Sequence, residues 1–141
     1  VVPFPAGGSA DTQTRVIADE LSKALGQPVV IENKPGAGGN IGASEAARSQ
    51  PDGYTLFMAT TGTHASNVSL YDKLPYDPVK DFAPLTLVTI YPQVVVPGLK
   101  MKDASFKDVV AQLKAAGDKA NFGSSGTGSP THLGGELFKN A

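Results

Sequence analysis

Three stretches of this 141-residue chain gather glycine and other small residues directly ahead of a helical pattern: PFPAGGSAD (3–11), KPGAGGN (34–40) and GSSGTGSPTH (123–132). The first turn of a helix leaves backbone N–H groups unpaired, and the helix dipole adds positive character there. Small residues let a ligand approach that backbone closely. The chemistry on offer is anion binding by main chain. The plain alternative is that the glycines only make tight turns.

Other chemistries lose their signatures. GAGGNIG carries Ile41 where a dinucleotide fingerprint needs its third glycine, and no G-x-x-x-x-G-K-[ST] occurs. GSSGTG has Thr127 where G-x-S-x-G ends in glycine. The two histidines are His64 and His132. An enzyme acting on a carboxylated substrate would pair His132 or His64 with Ser125 and an acid such as Asp11. The plain reading places each histidine at or near a helix start, supporting a loop. No His/Asp/Glu cluster has metal-ligand spacing, so neither a metal nor a cofactor is expected. Asp11 reads as a helix cap or first-turn acid. Arg15 reads as a solvated helix residue within reach of the same loop. Tyr71, Tyr76 and Phe82 surround LPYDPVKDF and read as pins for a long connection.

The elements behind these loops follow from hydrophobic period and punctuation. Val1–Phe4, Pro28–Glu32 and Tyr54–Ala59 read as strands. Residues 11–25 read as a helix with Ile17, Leu21, Ala24 and Leu25 on one face, ended by Gly26. Ile41–Ser49 reads as a second helix. This βαβαβ order implies a parallel sheet. The stretch 60–85 holds one short helical turn at most, around Ala65–Leu70. Its prolines suggest an ordered surface crossing. Leu85–Ile90 and Gln93–Val96 read as strands. Ser105 and Asp108 form a capping-box pattern ahead of a helix with Phe106, Val109, Val110 and Leu113 as its stripe, ended by Gly117. Ala120–Gly123 reads as a strand and Thr131–Asn140 as a helix.

Composition sets bounds. Hydrophobic residues make up 40% and charged residues 18%, enough apolar content to build a core. The formal net charge is −1, with Lys and Arg scattered, so nucleic acid is not an expected partner. Cysteine is absent, which excludes a disulfide frame and thiolate metal sites without fixing a compartment. No apolar run approaches the roughly 18 residues of a membrane helix, and no signal peptide stands at the start. Val1 lies inside a strand pattern and THLGGELFKNA stops within a helical one. The chain therefore reads as a piece of a longer protein.

Taken together, VVPFPAGGSAD, ENKPGAGGNIGA, PDGYTLFMATTGTHA, LYDKLPYDPVKDFAPLTLV and FGSSGTGSPTHLGGELF resemble the tripartite tricarboxylate transporter receptor family, the Bug-type extracytoplasmic solute-binding proteins. The resemblance spans nearly the whole chain in the family's order. It implies an α/β fold of the type II periplasmic-binding-protein kind, with two α/β domains and crossing hinge strands. Here the fold would be truncated, with residues 1–88 an incomplete first domain and 89–141 the start of a second. It implies a periplasmic receptor, not an enzyme, that captures a small carboxylate: a di- or tricarboxylate, a related organic acid or an amino acid. The ligand would pass to membrane permease subunits. By position, Phe4, Ala6, Gly7, Gly8, Ser9 and Asp11 would line one side of the ligand. Ser124, Ser125, Gly126, Thr127, Gly128 and Thr131 would line the other, with Thr60 and Thr61 as neighbours. The alternatives are the His132/Ser125 enzyme and a fragment without activity.

Overall fold

The computed structural model describes residues 1–90, 92–101, 104–124 and 128–140. Its five α-helices are α1 (Ser9–Leu25), α2 (Asn40–Ala47), α3 (Asn67–Leu70), α4 (Phe106–Ala116) and α5 (Pro130–Lys139). Short 3₁₀ turns at Ala37–Gly39, Leu99–Met101 and Gly117–Lys119 and a π-helical turn at Gly62–Ser66 join them.

The punctuation read from sequence acts as expected in several places. Gly26 closes α1 in the left-handed conformation, at φ 64°. Ser105 and Asp108 form a complete capping box at the start of α4, and Gly117 follows its end at φ 51°. Ser129 caps α5 by accepting from the His132 N–H, with Pro130 at the first helical position. Helix α1 starts two residues earlier than expected, at Ser9, because Gly8 already has the extended N-cap geometry. The turn expected at Ala65–Leu70 begins earlier as well, at Gly62.

The strands differ most. Among the described residues none of the six expected segments forms a ladder. The pairing is a single parallel bridge, Val2 with Asn33. Its bonds are Val2 N–H to the Glu32 carbonyl and Lys34 N–H to the Val2 carbonyl, each 2.8 Å. On the other side, the Val1 ammonium donates to the Leu56 carbonyl at 2.6 Å, and Met58 N–H donates to the Val1 carbonyl at 3.0 Å. The three segments thus lie in the order 28–34, 1–2, 54–59. A ladder needs consecutive paired residues on both sides, and the central segment supplies only Val1 and Val2. Leu85–Ile90 and Gln93–Val96 have no strand neighbour among the described residues.

The core is small and centred on that bridge: Val2 and Ala43 are fully buried, with Ala18 nearly so. The apolar face expected on α1 is not the buried one. Ile17 is 40% and Leu25 61% exposed, while Asp11 and Ala18, one i,i+7 pair, face inward. Leu85, Leu87, Ile90, Val94 and Val96 are each at least 74% exposed. Apolar extended segments without neighbours recruit other chains. The isolated 141-residue chain is accordingly expected to self-associate in sedimentation velocity. A single monomeric boundary at micromolar concentration would contradict this.

Candidate functional site

The first loop is organised from below by Asp11. Its carboxylate accepts from the Gly7 N–H at 2.8 Å, from Arg15 Nε at 2.9 Å and from Asn33 Nδ2 at 3.0 Å. Asn33 Nδ2 also donates to the Phe4 carbonyl at 3.0 Å. The Arg15 guanidinium, then the Gly7 and Asn33 donors, hold the Asp11 carboxyl well below the usual carboxylate range. Asp11 is 1% exposed, so it stands beneath the loop surface. Arg15, expected as solvated, is half exposed and paired with it.

Above Asp11 the loop surface is small and open. Ala6, Gly7 and Ser9 are exposed, and Phe4 and Gly8 half-buried. Gly7 has φ 82°, a conformation that favours glycine, whereas Gly8 is extended at φ −72°. Helix α1 has no side-chain cap. The N–H groups of Ser9, Ala10 and Asp11 meet no acceptor among the described residues. Helices α4 and α5, by contrast, start on capping serines.

The second glycine stretch serves packing. A Cβ on Gly42 would stand 2.9 Å from the Lys34 carbonyl oxygen and 3.0 Å from Pro3 Cα. One on Gly39, where φ is 94°, would stand 2.7 Å from Thr63 Cγ2 and 3.3 Å from Pro3 Cβ. Glycine at 39 in this stretch, and at 42 just beyond it, therefore serves close packing: it lets the start of α2 press against Pro3 and the Lys34 carbonyl.

The Thr60–Thr63 turn is tied through hydroxyls. Thr63 Oγ1 accepts from the Thr60 N–H at 3.0 Å and lies 3.2 Å from the Thr60 carbonyl. Beneath it is a buried polar cluster that sequence reasoning did not assign. Asn67 Nδ2 donates to the Gly38 carbonyl at 3.1 Å and to Asn40 Oδ1 at 2.6 Å. The Tyr76 hydroxyl lies 2.9 Å from Asn40 Oδ1 and 2.7 Å from the Thr63 carbonyl. Tyr76 thus pins the LPYDP connection, as its position in the sequence suggested. Asn40 and Asn67 gave no such signal, because polar residues at helix starts usually face water.

The structure brings the Thr60 turn to the third stretch. A Cβ on Gly62 would lie 3.5 Å from Thr60 Oγ1 and 3.8 Å from the carbonyl oxygens of Gly128 and Gly38. Thr60 is half-buried, Thr61 and Ser124 are exposed, and Gly128 is buried. Thr131 is exposed, its hydroxyl 3.1 Å from that of Ser129. Ser125, Gly126 and Thr127 lie outside the described residues. His132 Nδ1 accepts from the Gly128 N–H at 3.3 Å and Nε2 stands 3.9 Å from Glu136, a loop-supporting arrangement.

His64 sits between Phe57 and Phe82, at ring distances of 5.8 and 4.7 Å, with Nδ1 3.0 Å from Thr63 Oγ1. Burial pushes its imidazole below the usual value of 6.5. The fold thus favours neutral His64. As pH falls below about 6.5 the unfolded chain takes the proton first, so stability is complete above that pH and drains away as pH falls toward the lowered value. Urea midpoints measured across this window are expected to fall for the wild type and to flatten in His64→Phe. Parallel profiles would refute the assignment.

Several solved structures share the fold of this chain. MatC from Rhodopseudomonas palustris, solved with bound malate, is 36% identical, with a TM-score of 0.89 over 99% of this chain and 48% of its own. Rpa4515 of R. palustris, solved with adipate, is 35% identical, with a TM-score of 0.85 over 98% and 46%. The periplasmic binding protein BugD is 32% identical, with a TM-score of 0.80 over 99% and 46%. The fold is thus that of periplasmic binding proteins. Residues 13–141 match the model of the tripartite tricarboxylate transporter family receptor, and the chain belongs to that family. It spans 40% and 43% of the length of two curated relatives, at 40% and 41% identity.

Proposed function

We propose that this chain is the ligand-binding part of a periplasmic receptor that captures a small carboxylate and delivers it to the permease subunits of a tripartite tricarboxylate transporter. The observation that carries the reading is the uncapped first turn of α1. Among the described residues three backbone N–H groups meet no acceptor under a loop of exposed small residues, in a fold whose relatives were solved with malate and adipate. Each charge-assisted N–H bond is stronger than a neutral one. The helix dipole adds about 0.3–1 kcal/mol for an anion at that end.

In this reading Phe4, Ala6, Gly7, Gly8 and Ser9 receive the carboxylate, and Asp11 shapes the loop from beneath. By position, Ser124, Ser125, Gly126, Thr127, Gly128 and Thr131 belong to the other side, with Thr60 and Thr61 as neighbours. Residues 1–88 and 89–141 belong to two α/β domains joined by crossing strands, which close on the ligand. Closure requires tighter binding to the closed state than to the open one. The enzyme alternative loses ground because His132 Nδ1 is already bonded to the Gly128 backbone and the matched structures are binding proteins.

A thermal-shift screen of the complete receptor against organic acids and amino acids tests this. A ligand at 100 times its Kd adds about 2.7 kcal/mol of stability. Gly8→Val places a branched side chain at the α1 N-cap, where a Cβ lies only 3.3 Å from the Pro5 carbonyl. It is expected to weaken the shift from the best acid while the unliganded protein still melts cooperatively. An unchanged shift would remove the first loop from the site.

A further inference from the structure

We propose that the space beside the Gly128 Cα is a binding site for one water molecule, which bridges Asn67 of α3 to the Tyr71 hydroxyl. Asn67 is fully buried. Its Nδ2 donates to the Gly38 carbonyl and to Asn40 Oδ1. A carbonyl only accepts, so the amide cannot be turned around, and Oδ1 is left buried without a partner among the described residues. A buried acceptor left unmade is unfavourable enough to call for a partner.

The place it faces is small and specific. A Cβ on Gly128 would lie 3.5 Å from Asn67 Oδ1, 3.5 Å from Leu70 Cδ1 and 3.8 Å from the Tyr71 hydroxyl oxygen. That volume is open because residue 128 is glycine, held at φ 80°. The Tyr71 hydroxyl likewise has no hydrogen-bond partner among the described residues. Two polar atoms with unused capacity therefore face one methyl-sized space. A water there donates to Asn67 Oδ1 and accepts from Tyr71, within the 2–4 bonds that buried waters make. A metal ion does not suit the same place, since one amide oxygen and one neutral phenol supply no charge. The water ties Asn67 of α3 to Tyr71 in the LYDKLPYDP connection, packed against the Gly128 Cα.

Two measurements on the complete receptor test this. A crystal structure at water-resolving resolution is expected to place a water within about 3 Å of both Asn67 Oδ1 and the Tyr71 hydroxyl. Magnetic relaxation dispersion of water is expected to count one long-lived molecule fewer in Gly128→Ala, whose methyl fills the space. Because positive φ strains alanine, Tyr71→Phe is the second variant. It keeps the ring, removes one partner and is expected to shorten the residence of the same water. The proposal is overturned if Asn67 Oδ1 bonds directly to a protein N–H or to a donor of the transported ligand. It is equally overturned if wild type and both variants hold the same number of long-lived waters.

Discussion

Gly42→Ala is expected to destabilise the receptor by about 2 kcal/mol or more, a large share of a typical domain's stability. Helix propensity alone gives the opposite sign. Alanine is favoured over glycine by about 1 kcal/mol in a helix interior. The packing decides. The new methyl carbon would stand 2.9 Å from the Lys34 carbonyl oxygen, 3.0 Å from Pro3 Cα and 3.1 Å from Pro3 Cβ. Two of these atoms are backbone and cannot swing aside. Pro3 and Lys34 flank the Val2–Asn33 bridge, so moving α2 outward also opens the centre of the core. Urea unfolding of the complete receptor reads the change. A Gly42→Ala midpoint equal to or above wild type would show that α2 does not approach this backbone closely.

Asp11→Ala is expected to cost both stability and ligand affinity, the latter by roughly an order of magnitude. The carboxylate is the shared acceptor for Gly7, Arg15 and Asn33. Without it the Gly7 N–H loses its acceptor, Asn33 loses one of two ties to the loop, and Arg15 loses its ion-pair partner. Asp11→Asn is expected to be intermediate, since an amide oxygen can serve only part of the donor set. The pH dependence follows from the direction of the shift. A depressed folded-state value means that the Asp11 contribution is complete above the ordinary carboxylate value near 4. It is lost only as pH falls through the lower value in the fold. Isothermal titration with the best acid, paired with thermal melts, separates the two costs. Wild-type affinity in a destabilised Asp11→Ala protein would leave Asp11 a purely structural residue.

The helices were legible where local chemistry decides them. The Ser105–Asp108 box, Gly26 and Gly117 act within a few residues, and the structure uses each as read. The strand segments were legible as apolar runs, but pairing is not local. Val2 finds Asn33 and Val1 finds residues 56–58, while Leu85–Ile90 and Gln93–Val96 have no partner strand among the described residues. The inward face of α1 was missed for a related reason. Ile17, Leu21 and Leu25 keep helical period, yet Asn33 meets the first turn of α1 and the polar Asp11 is buried there. The glycines of KPGAGGN looked like those of PFPAGGSAD. Only the distances to Pro3, Lys34 and Thr63 separate close packing from an open helix end.

The proposed seat for a carboxylate is the open backbone at the start of α1. Isothermal titration of the complete receptor with a matched pair tests this most directly: the best organic acid from the screen and its primary amide of the same shape. Saturable one-to-one binding of the acid is expected, with loss of most of that affinity when the carboxylate becomes an amide. Equal affinity for acid and amide would contradict it, as would the absence of binding by any carboxylate.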